Sequence, residues 1–318
     1  MQRISKFLSE KKVILPNAII LSFDNDVNLN FKDNKLSFPI KYCSAWIIDG
    51  QHRTFGFKDT KYKDWSMDVN NEFKLPVIVF KDMPGKIQSK IFIDINYNQK
   101  KIDPTLLCDL ATVIKDLKNE LTWPSLLAAE LNKNSELKDF IKISELDDTR
   151  PIKLSSFVQY GLLETLLGLN KKTNVYSGPL MNYAKFNPDE EFDSEINKTA
   201  FNKQVELLKR YLSAVKKNTK PAAWKKDFSK KSKYALLKPT GLNALFLVLD
   251  KIMQKYPAVD FDLEKYLSPL KNINFGRKHV ASKGGGWRGF RGLANEIIKK
   301  INIEKEDSLP EFGKKEKI

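Results

Sequence analysis

Cysteine and histidine are nearly missing from this 318-residue chain, which holds two of each: Cys43, Cys108, His52 and His279. Two cysteines exclude a disulfide framework and a Cys-based zinc site, and they fit a reducing compartment, so a cytoplasmic protein is expected. With histidine this scarce, the sequence spells out no complete metal-binding constellation. No apolar run approaches the length that spans a bilayer and no signal peptide opens the chain, so no membrane partner is expected. Internal repeats and low-complexity tracts are also absent.

The composition is otherwise that of a globular protein, with 42% hydrophobic and 30% charged residues. A chain of this length buries a substantial core and is expected to form two domains. Acidic residues are the scarcer charge: 39 Asp plus Glu face 55 Lys plus Arg, a net charge of +16. Such an excess draws polyanions through long-range attraction and counterion release, which makes nucleic acid, above all DNA, the expected partner.

The stretch 45–58, AWIIDGQHRTFGFK, carries the densest local signal. Trp46, Ile47 and Ile48 read as the end of a strand, Asp49-Gly50 as a sharp turn, and Gln51 to Phe55 as the start of a helix. A strand turning through glycine into a helix leaves unpaired N–H groups at the helix start, which favours an anion. His52 and Arg53 add side-chain donors there, and the planar fork of Arg53 matches two phosphate oxygens at once.

The pentapeptide Asp49-Gly50-Gln51-His52-Arg53 resembles the signature of DGQHR-domain proteins. Two further segments resemble the same family: FIDINYNQKKIDPTLL at 92–107 and KPTGLNAL at 238–245. That family is similar to the ParB/sulfiredoxin-like group, whose matching loops hold nucleotide phosphates, and to Dnd-type regulators of bacterial DNA modification. The resemblance implies an α+β protein: a small mixed-sheet ParB-like domain over residues 1–112, then an all-helical basic domain over 113–318. Phosphate or nucleotide binding is implied at Gly50, Gln51, His52 and Arg53, with Asn96 bonding either a base or the loop itself. It implies a DNA-associated regulator from a modification or phage-defence system, acting with defence-operon partners or as a homo-oligomer. The alternative is an NTPase or nucleotide-dependent nuclease, using a nucleoside triphosphate with Mg2+ and Asp49, His52 and Arg53 as catalytic groups; Asp49 is then the metal ligand. Sulfiredoxin-like enzymes carry cysteine where this chain has Gln51, so sulfinate reduction by that route is excluded.

Taken in order, residues 2–9 pattern as a short helix and Leu15–Ser22 as a largely buried strand; related domains carry further strands before this point, so the sheet is expected to be short at its N-terminus. A polar loop over 25–35 precedes a strand near Leu36–Tyr42, and another polar loop over 58–71 precedes a strand at Leu75–Phe80. A helix is expected over 86–96. Asp103-Pro104 reads as an N-cap followed by proline at the first helical position, with Ile102 stapled to Leu107. Apolar stripes over 124–141, 154–167 and 194–215 predict core-facing helices, with Gly168 as a stop. Thr240 is expected to cap an apolar helix over 241–256.

Two basic segments stand apart. Residues 216–238 hold nine lysines and one acidic residue, interleaved with Trp224, Phe228 and Tyr234. Lys225, Lys226, Lys230 and Lys231 are the expected phosphate contacts there, with the aromatics stacking on bases or sugars. Residues 275–292, FGRKHVASKGGGWRGFRG, are expected to form a flexible Gly-rich loop ahead of a helix at 293–301. Three consecutive glycines without a following Gly-Lys-Ser/Thr do not make a Walker loop. Arg277, Arg288 and Arg291 are the candidate cations of this loop, closing on a phosphate or clasping a DNA backbone. Residues 302–318 read as a charged tail.

Overall fold

A computed structural model describes residues 17–39, 41, 43–56, 75–97, 102–142, 149–173, 175–224 and 233–302. The expected N-terminal helix, the 58–71 loop and nearly all of the charged tail lie outside the described residues. The chain is mixed α/β, with a three-stranded mixed sheet in the first of two compact units, Met1–Ile102 and Asp103–Ile318. The division falls just ahead of the Asp103-Pro104 helix start, whereas residue 112, where the boundary was expected, lies inside that helix, Pro104–Ile114. Among the described residues no helix is long and apolar enough to cross a membrane.

In the first unit, β1 (Ile19–Phe23) is the middle of a three-stranded sheet. The hairpin β2 (Asn30–Lys32) and β3 (Lys35–Ser37) follows, then β4 (Ala45–Asp49), α1 (Gln51–Gly56), β5 (Val77–Lys81) and α2 (Gly85–Tyr97). β4 pairs antiparallel with β1, whose register shifts between Ile20 and Leu21, and β5 pairs parallel on the other side. The β2–β3 hairpin falls where a polar loop was expected. Asp33 and Asn34 both adopt positive φ, at 51° and 57°, the conformation that a tight two-residue hairpin turn requires and that Asp and Asn tolerate better than most.

The second unit runs through α3 (Pro104–Ile114), α4 (Thr122–Asn134), and β6 (Ile141–Lys142) paired with β7 (Ile152–Lys153). It continues with α5 (Leu154–Ser156), which widens into a π-helix over Phe157–Leu166, and β8 (Leu169–Asn170) paired with β9 (Val175–Tyr176). The remaining helices are α6 (Pro179–Tyr183), α7 (Glu195–Lys217), α8 (Pro239–Lys255), α9 (Leu263–Tyr266), α10 (Arg277–Ser282) and α11 (Gly286–Ile301), with 3₁₀ turns at Pro221–Trp224 and Ser268–Asn272. The unit is therefore helical but not purely so, because two short ladders tie down its connections.

Local signals explain most of these boundaries. The Asp103 carboxylate accepts from the Thr105 and Leu106 amides, and Ser194 does the same for Asn197 at the head of α7. Gly168 ends the π-helix with φ of 60°. The helix expected over 124–141 stops at Asn134, because Ser135 turns extended and bonds back to the Leu131 carbonyl; Leu137, Phe140 and Ile141 are still buried, delivered by a turn and β6. Thr240 does not cap α8: Pro239 is already helical, and Lys238 stands at the cap position without a side-chain bond.

The core centres on Trp123, which is wholly buried and stacked on Phe186 with ring centres 4.1 Å apart. Its indole N–H donates to Gln204 Oε1 at 2.8 Å, and the Gln204 amide donates to the Ala184 carbonyl at 2.6 Å, so the polar atoms of two buried residues are met within the core. Tyr211 is equally buried and donates to the Leu245 carbonyl at 2.6 Å; burial pushes its phenol far up. The apolar stripes face this core as expected, except Ile196, which is exposed.

The glycine of the KPTGLNAL segment has a packing reason. A Cβ built on Gly241 would lie 2.2 Å from the Ala235 carbonyl oxygen and 2.5 Å from that of Leu236, so the incoming chain crosses the first turn of α8 at backbone distance. Gly241→Ala should lower stability by about 1–3 kcal/mol, the usual cost of overpacking, read as a shift in the urea or thermal midpoint.

Candidate functional site

The DGQHR stretch forms the expected strand, turn and helix. Asp49 closes β4, Gly50 turns with φ of 95°, and Gln51 opens α1. A side chain at Gly50 would be strained by that φ, and its Cβ would come within 3.2 Å of the Arg53 guanidinium and 3.0 Å of Ile19 Cγ1. Arg53 turns back onto its own strand. Its Nη2 donates to Asp49 Oδ2 at 2.8 Å and to the Ala18 carbonyl of the strand entering β1 at 3.0 Å. Gln51 Nε2 donates to the Ile47 carbonyl at 3.1 Å, and the Thr54 hydroxyl to that of Gly50.

The motif is thus a clip between β1, β4 and α1. Asp49 and Arg53 neutralise each other as a partly buried ion pair, whereas His52 and Gln51 are exposed. Arg53 Nε is buried and has no acceptor among the described residues. The helix behind the turn has six residues, so its dipole is small. A metal ion would find a single carboxylate here, already bonded to Arg53, and among the described residues no three His, Cys, Asp or Glu side chains converge as a metal cage. Among the described residues, those at the turn do not fit Mg2+. Asn96 lies in the last turn of α2; its side chain is outside the described residues.

The basic segment of 216–238 changes character in three dimensions. Lys225, Lys226, Lys230 and Lys231 lie outside the described residues. Trp224 is buried, and its indole N–H donates to the Thr219 hydroxyl at 2.7 Å. It therefore serves the core and is not free to stack on a base.

No family model, curated protein or solved structure matches this chain.

The stretch expected as a flexible loop over 275–292 is mostly helix. α10 and α11 leave only Lys283, Gly284 and Gly285 between them. Gly289 belongs to the packing: a Cβ there would meet the Gly284 carbonyl oxygen at 2.2 Å, so α11 lies directly against the turn that feeds it. Phe290 is buried beside that contact. Helix α11 starts without a side-chain cap and without an acidic residue in its first turn. Nothing lies within 4 Å of a Cβ at Gly285 or Gly286. An open, uncapped start to a 16-residue helix is the anion-favouring arrangement that the sequence placed at Gly50. Arg277, Lys278, Arg288 and Arg291 are all exposed on this helical hairpin.

The one carboxylate within α10 and α11 is Glu296, and it is bonded to other groups. Glu296 accepts from Lys283 at 2.7 Å and lies 3.0 Å from His279 Nε2, clasping α10 and its connection to α11. Burial alone would raise the Glu296 carboxyl, but its bonds to Lys283 and His279 outweigh it and hold the group below the usual carboxylate range.

Sequence reasoning missed a cavity of about 710 Å³ lined by residues of the π-helix, α6, α8 and α11. Asp250 marks it. A lone carboxylate in the apolar run LFLVLD was visible in the sequence, but its neighbours Glu164 and Trp287 come from distant segments.

A group with a depressed carboxyl pKa stabilises the fold above its unfolded pKa, and that contribution is lost as pH falls through the lower folded value. Glu296→Gln should therefore cost about 1 kcal/mol near neutral pH, the scale of a partly exposed ion pair. The difference from wild type should vanish in acid, below the ordinary carboxylate range, when unfolding is followed across pH.

Proposed function

We propose that this protein is a DNA-associated binding or regulatory protein of a bacterial DNA-modification or phage-defence system, with a ParB-like first unit and a helical second unit that holds nucleic acid. The observation that carries the reading is the open start of α11, with its two unobstructed glycines and the exposed Arg277, Lys278, Arg288 and Arg291 on α10 and α11. Backbone N–H groups and a helix dipole coincide there with Arg288, whose side chain lies beside Gly284, and phosphate contacts use all three. The net charge of +16 supports the same partner by long-range attraction.

The DGQHR turn is the nucleotide-phosphate loop of this reading. The arriving phosphate competes with Asp49 for Arg53, and the buried Arg53 Nε–H, which has no acceptor among the described residues, is a donor for one of its oxygens. Asp49 then acts as a gate on Arg53 and not as a metal ligand.

Duplex DNA binding measured across a salt series tests the first claim. The Arg277→Ala, Lys278→Ala, Arg288→Ala variant should bind at least tenfold more weakly, with a log–log salt slope shallower by roughly two to three, about one for each phosphate that is no longer neutralised. An unchanged slope would sink the proposed interface. Nucleotide binding on two separate variants tests the turn: Arg53→Ala should abolish it, whereas Asp49→Ala, by releasing Arg53, should strengthen it. Loss in both variants with the fold intact would show that the Asp49–Arg53 clip is architectural.

A further inference from the structure

Helix α8 is buried along most of its length, yet it carries Asp250 into the cavity between the π-helix, α6 and α11. The Asp250 side chain is 12% exposed. Its Oδ2 accepts from Gln254 Nε2 at 2.9 Å and lies 3.9 Å from Lys251 Nζ. Burial raises its carboxyl, and Lys251 and the Gln254 bond pull it back. A largely buried carboxylate at the wall of a cavity is a receptor for donors.

Trp287 of α11 lines the same cavity. Its ring is fixed edge-on to Tyr160 at 5.9 Å and tilted against Phe290 at the same distance. The Arg291 guanidinium lies over it, 5.4 Å from the ring centre. Glu164, from the π-helix, is occupied: Gln159 and Lys171 both donate to its Oε1, at 2.5 and 3.2 Å. The charged side chains that line the cavity are then Glu164 and Asp250 against Lys251 and Arg291, two of each sign. Such a lining suits a flat, polar, uncharged group better than a polyphosphate. About 710 Å³ is within the range of small-molecule sites.

We propose that this cavity binds a guanine base, with Asp250 accepting from N1–H and N2–H, Arg291 donating to O6 and N7, and Trp287 supplying a stacking face. Guanine alone among the bases presents two adjacent donors on its pairing edge and two adjacent acceptors on the other, the pair that an arginine fork reads. Adenine turns the N1 lone pair toward the carboxylate and is repelled. The base comes either from a free nucleoside or from an unpaired position in a strand held at the start of α11. Only the second source rests on the DNA-binding reading above.

Equilibrium binding to the full chain, followed in two arms, tests this. One arm compares guanosine with adenosine and cytidine; the other compares a single-stranded oligothymidine with the same strand carrying one central guanine. At least one arm should prefer guanine by tenfold or more, because a site built to bond polar groups rejects an analogue that mismatches them. Preference in the first arm identifies the free nucleoside, and preference in the second alone identifies the strand. Asp250→Asn should erase the preference, Trp287→Ala should weaken binding at least tenfold, and Trp287→Phe should restore most of it, with unchanged thermal unfolding showing that the fold persists. The Arg277→Ala, Lys278→Ala, Arg288→Ala variant should keep guanosine binding whatever happens to its affinity for DNA, so the two readings fail separately. Absence of guanine preference in both arms, or a preference that survives Asp250→Asn, would overturn the assignment.

Discussion

The second unit depends on the burial of one helix. From Gly241 to Met253, α8 hides nearly every residue, and a helix apolar on most sides has to be surrounded. The π-helix and α11 lie against it, α6 crosses it, and Tyr211 of α7 bonds to its Leu245 carbonyl. At about 25 cal/mol per Å2 of apolar area, this enclosure is the main stabilising term of the unit. It also fixes the positions of polar groups that the helix cannot hide. Asp250 sits at the edge of the buried stretch, where the surrounding elements part and the cavity opens.

Close backbone approach sets the rest of the geometry. Gly241 admits the entering chain over α8, and Gly289 lets α11 lie against its own preceding turn. The wide turns of the π-helix bring Tyr160 against Trp287 and Phe290, with the Thr165 hydroxyl donating to the Tyr160 carbonyl at 2.6 Å. Such wide turns are uncommon, and they recur near functional sites because they re-aim side chains. Here they set Glu164 and Thr165 beside the cavity.

The first unit has a different logic. Its sheet places Gly50 against β1, and the Asp49–Arg53 pair holds strand, turn and helix together at the cost of the charge that would meet a ligand. A motif with an anion-binding composition can thus be closed by its own carboxylate. The α10–α11 hairpin is the opposite case: Lys283 and His279 take up its carboxylate, Glu296, and the neighbouring arginines stay outside that clasp.

Much of this was legible in the sequence because it is local. The Ala45–Asp49 strand, the Gly50 turn, the Asp103-Pro104 helix start, the Gly168 stop and the buried stripes all follow from periodicity, caps and turn chemistry within a few residues. The positive charge and the scarcity of Cys and His are also properties of the sequence alone. Tertiary structure decided the pairings between distant residues. Whether Arg53 faces a ligand or Asp49, whether Trp224 stacks on a base or bonds Thr219, and whether the glycines of 276–292 flex or pack each depend on atoms that the local pattern does not specify. The same holds for the cavity, where Asp250, Glu164 and Trp287 meet only because the burial of α8 draws their segments together.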